Sequence, residues 1–287
     1  VQGPDAAEFL NRVYVNGWSK LPVGKARYGV MLRPDGIVLD DGTTSRISEH
    51  HYFMTTTTAN AGKVMAQLEF LLQTAWPDLR VHVTSVTSQW AGMAVSGPKC
   101  RELHGRVVTD IDLSDGAVPH MGVAHGHAGD IPVRILRVSF SGERAYEVYT
   151  PAGYGMALWQ MICDRGADLD LTVYGVEALG ALRIEKGHVA GPELEGRTTL
   201  ADLGLARMAS SGNPSLGGAL AKREGLADRK AAKDDDVEEI TDDDKEKRAA
   251  RKEAEAKAAA GSGRGAGGRG RGPGAGRGGP RRPTSCL

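Results

Sequence analysis

Asp40 and Asp41, adjacent carboxylates followed by Gly42, are the first residues of this chain whose types and spacing suggest chemistry. They stand at the expected end of a strand that leaves a Pro34-Asp35-Gly36 turn, after an apolar-alternating strand over 28–32. Acids at a strand end, fixed by a glycine that tolerates unusual backbone angles, can hold or move a proton. Paired acids are equally an ordinary way of ending a strand in water. Tyr28, Glu143, Glu147 and Arg183 complete the set of candidates. Each also has a plain reading, as strand aromatic, turn residue, exposed strand residue and helix surface respectively.

Other chemistries find less support. His120, His125 and His127 cluster in PHMGVAHGHAGD, but this glycine-rich run reads as a loop without a cysteine nearby, so no metal site is expected. His50 and His51 would point to opposite faces of a strand. Neither GxGxxG nor GxxxxGK[ST] occurs in the body of the chain, which argues against a self-contained nucleotide site.

The formal charge of zero conceals two unlike regions. Residues 221–287 carry 17 Lys and Arg against 13 Asp and Glu, leaving 19 against 23 in residues 1–220. The body thus lacks an electrostatic footprint for nucleic acid, and an Arg-Gly tail (Arg264, Arg269, Arg271, Arg277) is the one feature resembling an RNA-binding segment. Cys100, Cys163 and Cys286 are far apart and form no CxxC, which suits a reducing, cytoplasmic setting. No apolar run approaches the ~20 residues of a membrane helix, so no membrane partner is expected.

The elements that must position these residues follow from periodicity. A helix after Asp5, with Glu8 at capping-box spacing, buries Phe9, Leu10 and Val13. Threonines at 55–57 end a third strand over 51–57. An amphipathic helix over 59–72 carries Val64, Leu68 and Leu71. Strands are predicted over 81–86, 90–95, 131–140 and 146–149, and helices from 99, over 154–163 and over 174–186, the last stopping at Gly187. The order Val, polar, Gly, Pro occurs at both 1–4 and 95–98, each before a helix, which predicts a pseudo-repeat of roughly 95 residues. The class is α+β, with antiparallel sheets and packed helices. Residues 229–287, first charged and then rich in Gly and Arg, are expected to be disordered.

The phrases KARYGVMLRPDGIVLDDG, SGERAYEVYTPAGYG and RIEKGHVAGPELEGRTTLADLGL resemble the aminomethyltransferase (glycine-cleavage T-protein) superfamily. Together with TSVTSQWAGMAVSGP they are most similar to the folate-binding region of the alpha subunit of heterotetrameric sarcosine oxidases. The resemblance covers roughly residues 1–225. It implies a tetrahydrofolate-binding domain that traps the carbon released by sarcosine oxidation as 5,10-methylenetetrahydrofolate. Flavin and NAD would belong to absent regions or partner subunits, and beta, gamma and delta subunits would be the partners. Asp41 would assist the attacking folate nitrogen and Asp40 support the turn. Tyr28, Glu147, Thr57 and Arg183 would contact or enclose the folate, with Glu147 on the pterin ring. The T-protein branch has an asparagine near Thr57, where this chain has a threonine run.

The resemblance divides the chain into a folate-binding domain over 1–207, truncated at its start, a remnant of a C-terminal barrel over 208–228, and a tail over 229–287. The missing parts suggest a fragment or a shifted reading frame. Two other functions remain open from sequence: transfer of a lipoyl-bound aminomethyl group, and RNA binding through the tail.

Overall fold

A computed structural model describes residues 1–209 and 215–218; the expectations for the tail lie outside them. Two antiparallel sheets carry the fold. The first joins β1 (Lys25–Leu32), β2 (Val38–Ser48) and β3 (His51–Met54) in that order. The second runs β4-β7-β6-β5, from β4 (Trp90–Ser96), β5 (Val123–Ala128), β6 (Ile131–Leu136) and β7 (Ala145–Pro151). The described residues also form α1 (Ala6–Val13), α2 (Ala61–Phe70), α3 (Cys100–Val107), α4 (Gly155–Gly166) and α5 (Val176–Lys186). The α+β expectation is met, and α5 ends at Gly187 in the left-handed conformation as the sequence predicts.

The internal repeat is present in the backbone itself. Gly3 and Gly97 both take positive φ, 135° and 119°. Each accepts a hydrogen bond from the first residue of the next helix (Ala6 N–H to Gly3 O, 3.0 Å; Cys100 N–H to Gly97 O, 3.2 Å). Each also donates to the residue before a strand, Gly3 to His50 O and Gly97 to Arg144 O. Gly3 to Gly97, Ala6 to Cys100 and His50 to Arg144 are all 94 positions apart, so one strand-glycine-helix device is used twice.

Alternation separates the faces of each sheet. On the second sheet Val95, Val133, Ile135, Tyr146 and Val148 point into a core closed by Leu103 and Val107 of α3 and Leu158 and Ile162 of α4. Its other face meets the first sheet: Leu136 packs with Ala26, and the Phe53 ring lies 5.3 Å from Tyr149 and 5.7 Å from Trp90. A separate core around Phe9, Leu10, Tyr14, Trp18, Leu68 and Leu71 fixes α1 and α2 to the outer face of the first sheet.

Four local expectations are corrected. Asp5 makes no capping bond, because its carboxylate takes three charge-assisted hydrogen bonds from the backbone and guanidinium of Arg80. The stretch 81–86 is not a strand; only a bridge from Gln2 to His82 forms, and beyond it the run finds no ladder partner. The histidine-rich run over 123–128 is β5 rather than a loop, because pairing with the apolar β6 overrides its glycine content. The helix expected over 59–72 starts as a 3₁₀ turn and ends in a wider π turn over Leu71–Ala75.

His104 on α3 gives the fold a pH dependence. Its Nδ1–H donates to Cys100 O at 2.7 Å, its ring sits 4.8 Å from that of Tyr146, and burial pushes its pKa down to about 4. The unfolded chain binds this proton near pH 6.5 and the folded one only near 4. The stabilisation is therefore complete above about pH 6.5 and is lost as pH falls toward 4, a change of roughly 3 kcal/mol. Urea melts at stepped pH should show this slope between 6.5 and 5, and His104→Phe should flatten it.

Candidate functional site

The candidate site lies where the two sheets face each other. Asp40 and Asp41 do not end a strand; both lie within the eleven-residue β2. Alternation sends them to opposite faces, so they cannot act as a joint pair. Gly42 between the strands is likewise not a residue of unusual backbone angle, since its φ is not positive. It is required for close approach: a Cβ there would fall far inside the Thr55 carbonyl oxygen.

Asp41 stands opposite Val30 and diagonal to Tyr28, whose partner is Thr43. The Tyr28 hydroxyl donates to Asp41 Oδ2 at 2.7 Å, and the Thr57 hydroxyl donates to Oδ1 at 3.3 Å. Burial raises the Asp41 pKa, Tyr28 opposes this by its hydrogen bond, and Asp40 adds repulsion. Burial and the Asp41 charge push the Tyr28 hydroxyl well above its ordinary range, so it stays protonated and remains a donor.

Asp40 is fully buried on the other face. It accepts the Thr57 backbone N–H at 3.2 Å and the Asn60 side-chain amide at 3.1 Å. It thus anchors the 57–60 segment rather than supporting a turn, the part the resemblance implied for it. Thr57 is gripped from both sides, its backbone by Asp40 and its hydroxyl by Asp41. Thr55 completes the clasp through Thr43, with hydroxyls 3.0 Å apart.

Glu147 lies on β7, on the face turned to the first sheet. It does not touch Asp41; its Oε2 accepts the Tyr149 hydroxyl at 2.6 Å, and burial raises its pKa. Tyr149, two residues along and hence on the same face, was not singled out from sequence, although alternation alone carries that signal. Asn60 was missed as well, and nothing local marks it, since its partner is 20 residues away. Glu143 is an exposed turn residue, as its plain reading has it.

Arg183 stands apart from the Asp41 cluster. Its Nη1 donates to His188 O at 3.1 Å and Glu193 Oε2 at 2.7 Å, and Glu193 also accepts the Ala190 N–H. These bonds fold the 188–193 loop, whose Gly191 lies against Thr57: a Cβ on Gly191 would sit 3.6 Å from the Thr57 methyl. Beyond it the chain returns to the site sheet, where Thr198 O accepts the Val38 N–H and Leu200 packs with Val30 and Leu32. Leu216 N–H donates to Arg12 O, so residues 215–218 also pack on this body.

The arrangement can hold a flat, donor-rich ligand between two half-buried carboxylates, Asp41 below and Glu147 above. Glu147 has one protein donor, which leaves acceptor capacity for a ligand N–H. Among the described residues no group of His, Cys, Asp and Glu has the arrangement of a metal centre, and no helix is long and apolar enough to cross a membrane.

The family model described as the GCVT N-terminal domain matches residues 1–212. Sarcosine oxidase subunit alpha of Rhizobium meliloti (strain 1021) is 51% identical over 229 residues, covering 79% of this chain and 23% of that protein. An aminomethyltransferase of Streptomyces coelicolor is 32% identical over 209 residues, covering 72% of this chain and 54% of that protein. The glycine cleavage system aminomethyltransferase T from Bartonella henselae shares the fold, with a TM-score of 0.66 at 23% identity over 79% of this chain and 60% of that one. The chain therefore spans 23% of that sarcosine oxidase subunit and 54% of that aminomethyltransferase.

Proposed function

This chain belongs to the GCVT N-terminal domain family, and from that premise we propose that it binds tetrahydrofolate and loads it with the one-carbon unit released by sarcosine oxidation. The product in this reading is 5,10-methylenetetrahydrofolate. The similarity to sarcosine oxidase alpha subunits supports this donor over a lipoyl-bound aminomethyl group, being 51% against 32%. It also supports beta, gamma and delta subunits as partners, which would supply the flavin oxidation.

The observation that carries the proposal is the half-buried Tyr28–Asp41–Thr57 cluster on the face of the first sheet turned to the second, with Glu147 on the face of the second sheet turned to the first. A reduced pterin presents several N–H donors along one edge, and a buried carboxylate with spare acceptor capacity suits them. Glu147, oriented by Tyr149, holds that edge. Asp41 receives the proton released, directly or through a water, when a ring nitrogen adds to the formaldehyde carbonyl; the resulting hydroxyl leaves as water when the second nitrogen closes the methylene bridge. Tyr28 keeps the Asp41 carboxylate oriented and, being protonated, also stabilises its charge. Thr57 and the Gly191 loop shield the cluster from solvent.

Titration with tetrahydrofolate tests this. Saturable binding is expected in the parent chain, with roughly 10-fold or greater weakening in Glu147→Ala from loss of a charge-assisted hydrogen bond. No saturable binding by the folded parent would overturn the reading.

A further inference from the structure

Three guanidinium groups converge at the hairpin end of β6 and β7. Arg137 follows β6, Arg144 precedes β7, and Arg101 comes from the first turn of α3. All three approach one oxygen, Oδ1 of Asp115, in the connection between α3 and β5. Arg101 Nη2 donates to it, Arg137 Nη1 lies 2.5 Å away and Arg144 Nη1 lies 3.6 Å away. The hydrogen bond from Arg101, with the charges of Arg101 and Arg137, holds the Asp115 carboxyl below its ordinary range.

Two of these forks are fixed from behind. Arg101 Nε–H donates at 3.3 Å to the hydroxyl of Tyr146, a fully buried residue, and Arg137 Nη1 donates to Val118 O at 3.0 Å. The Arg137 side chain is only 15% exposed. The backbone of Arg144 is held as well, since its carbonyl accepts the Gly97 N–H and the Cys100 thiol. Its side chain has the 3.6 Å ion pair and, among the described residues, no hydrogen bond.

Charge and geometry are both unbalanced here. Three cations this close repel, and Asp115 offsets one of them. Asp112 also acts on Arg101, but its two oxygens already accept the Ser114 N–H and hydroxyl. Glu143, beside Arg144 in sequence, makes no ion pair among the described residues. Each guanidinium carries five N–H donors, and most of those in this cluster meet no acceptor in the protein. A flat carboxylate offering one oxygen leaves them unused. A tetrahedral dianion presents oxygens in three directions and balances the charge that Asp115 leaves over.

We propose that Arg101, Arg137 and Arg144 form a binding site for a phosphate dianion, free or as a monoester, with Asp115 as its built-in competitor. The Asp115 side chain is 60% exposed and can turn aside into solvent as the ligand takes the forks. None of these residues takes part in the tetrahydrofolate reading, so the two stand or fall separately.

Calorimetric titration of the full chain tests this at an ionic strength on the order of 0.01 M, where charges are least screened. The pH is held well above the second phosphate pKa of about 6. The probes are inorganic phosphate, phenyl phosphate and acetate, on the parent, Arg144→Gln and Asp115→Asn. Phosphate should bind the parent saturably, and acetate about 10-fold more weakly or worse. Arg144→Gln should weaken phosphate roughly 10-fold, and because this side chain holds no hydrogen bond the fold should survive its loss. Asp115→Asn should strengthen phosphate by a similar factor, a gain that a merely structural ion pair does not produce. Binding of inorganic phosphate alone supports a free-ion site, and equal binding of phenyl phosphate supports a monoester site. The inference is overturned if the folded parent binds no phosphate, or if Asp115→Asn binds it no tighter. Should Asp115→Asn fold poorly, unchanged phosphate affinity in Arg144→Gln overturns it instead.

Discussion

Asp41→Asn is expected to slow one-carbon transfer to tetrahydrofolate by roughly 10²- to 10⁴-fold, the range for losing a positioned proton acceptor. The substitution keeps size and lets the Tyr28 hydroxyl donate to the amide oxygen, so folding should survive and tetrahydrofolate affinity should change far less than the rate. Single-turnover measurements with formaldehyde as carbon donor separate the two. In the parent, the rate should fall as acid protonates Asp41. Burial raises its pKa, so this limb should lie above the ordinary carboxylate range, and it should disappear in the variant. A variant that transfers carbon at the parent rate would remove Asp41 from the mechanism.

The largest effect on stability is expected from Gly42→Ala, a single methyl. Gly42 lies under the Thr55 carbonyl, where a Cβ finds no room and the obstacle is backbone. Overpacking of this kind costs about 1–3 kcal/mol or more, and each kcal/mol lowers Tm by about 2–4 °C in a domain of this size. The displaced segment is the one whose Thr57 bonds to both Asp40 and Asp41, so tetrahydrofolate binding should weaken in the surviving folded fraction. Gly62→Ala is the control: on α2 a Cβ meets nothing within 4 Å, and helix propensity favours alanine by about 1 kcal/mol. Calorimetry on the two variants should therefore show shifts of opposite sign.

Particular residues show how far the sequence reached. The repeat was legible in eight residues, 1–4 and 95–98, because a glycine at positive φ before a helix is a local demand that leaves a local mark. The candidate acids were legible as types, and the resemblance grouped Asp41 with Tyr28 and Glu147; Tyr28 bonds to Asp41, whereas Glu147 bonds to Tyr149 on the other sheet. The reading of Gly42 failed because a backbone angle and a close approach both select glycine, and only the neighbour, Thr55, distinguishes them. Asp40 was read as support for the turn next to it, whereas its partners come from 17 and 20 residues away. Strand β5 was missed because its own composition argues for a loop and its pairing with β6 decides otherwise.

What the sequence determined by itself is the periodicity, the turns and the inventory of polar groups that must find partners. Tertiary structure alone decided which of those groups meet. It placed Asp40 and Asp41 on opposite faces of one strand, turned Glu147 toward the first sheet from the second, and left Arg134 buried between two aromatic side chains. The physical reason is that alternation assigns each side chain to a face, but only sheet-on-sheet packing determines what that face meets. The adjacent pair Asp40 and Asp41 therefore divides its work: Asp40 holds the Thr57 segment in place, and Asp41 faces the space where the proposed chemistry occurs.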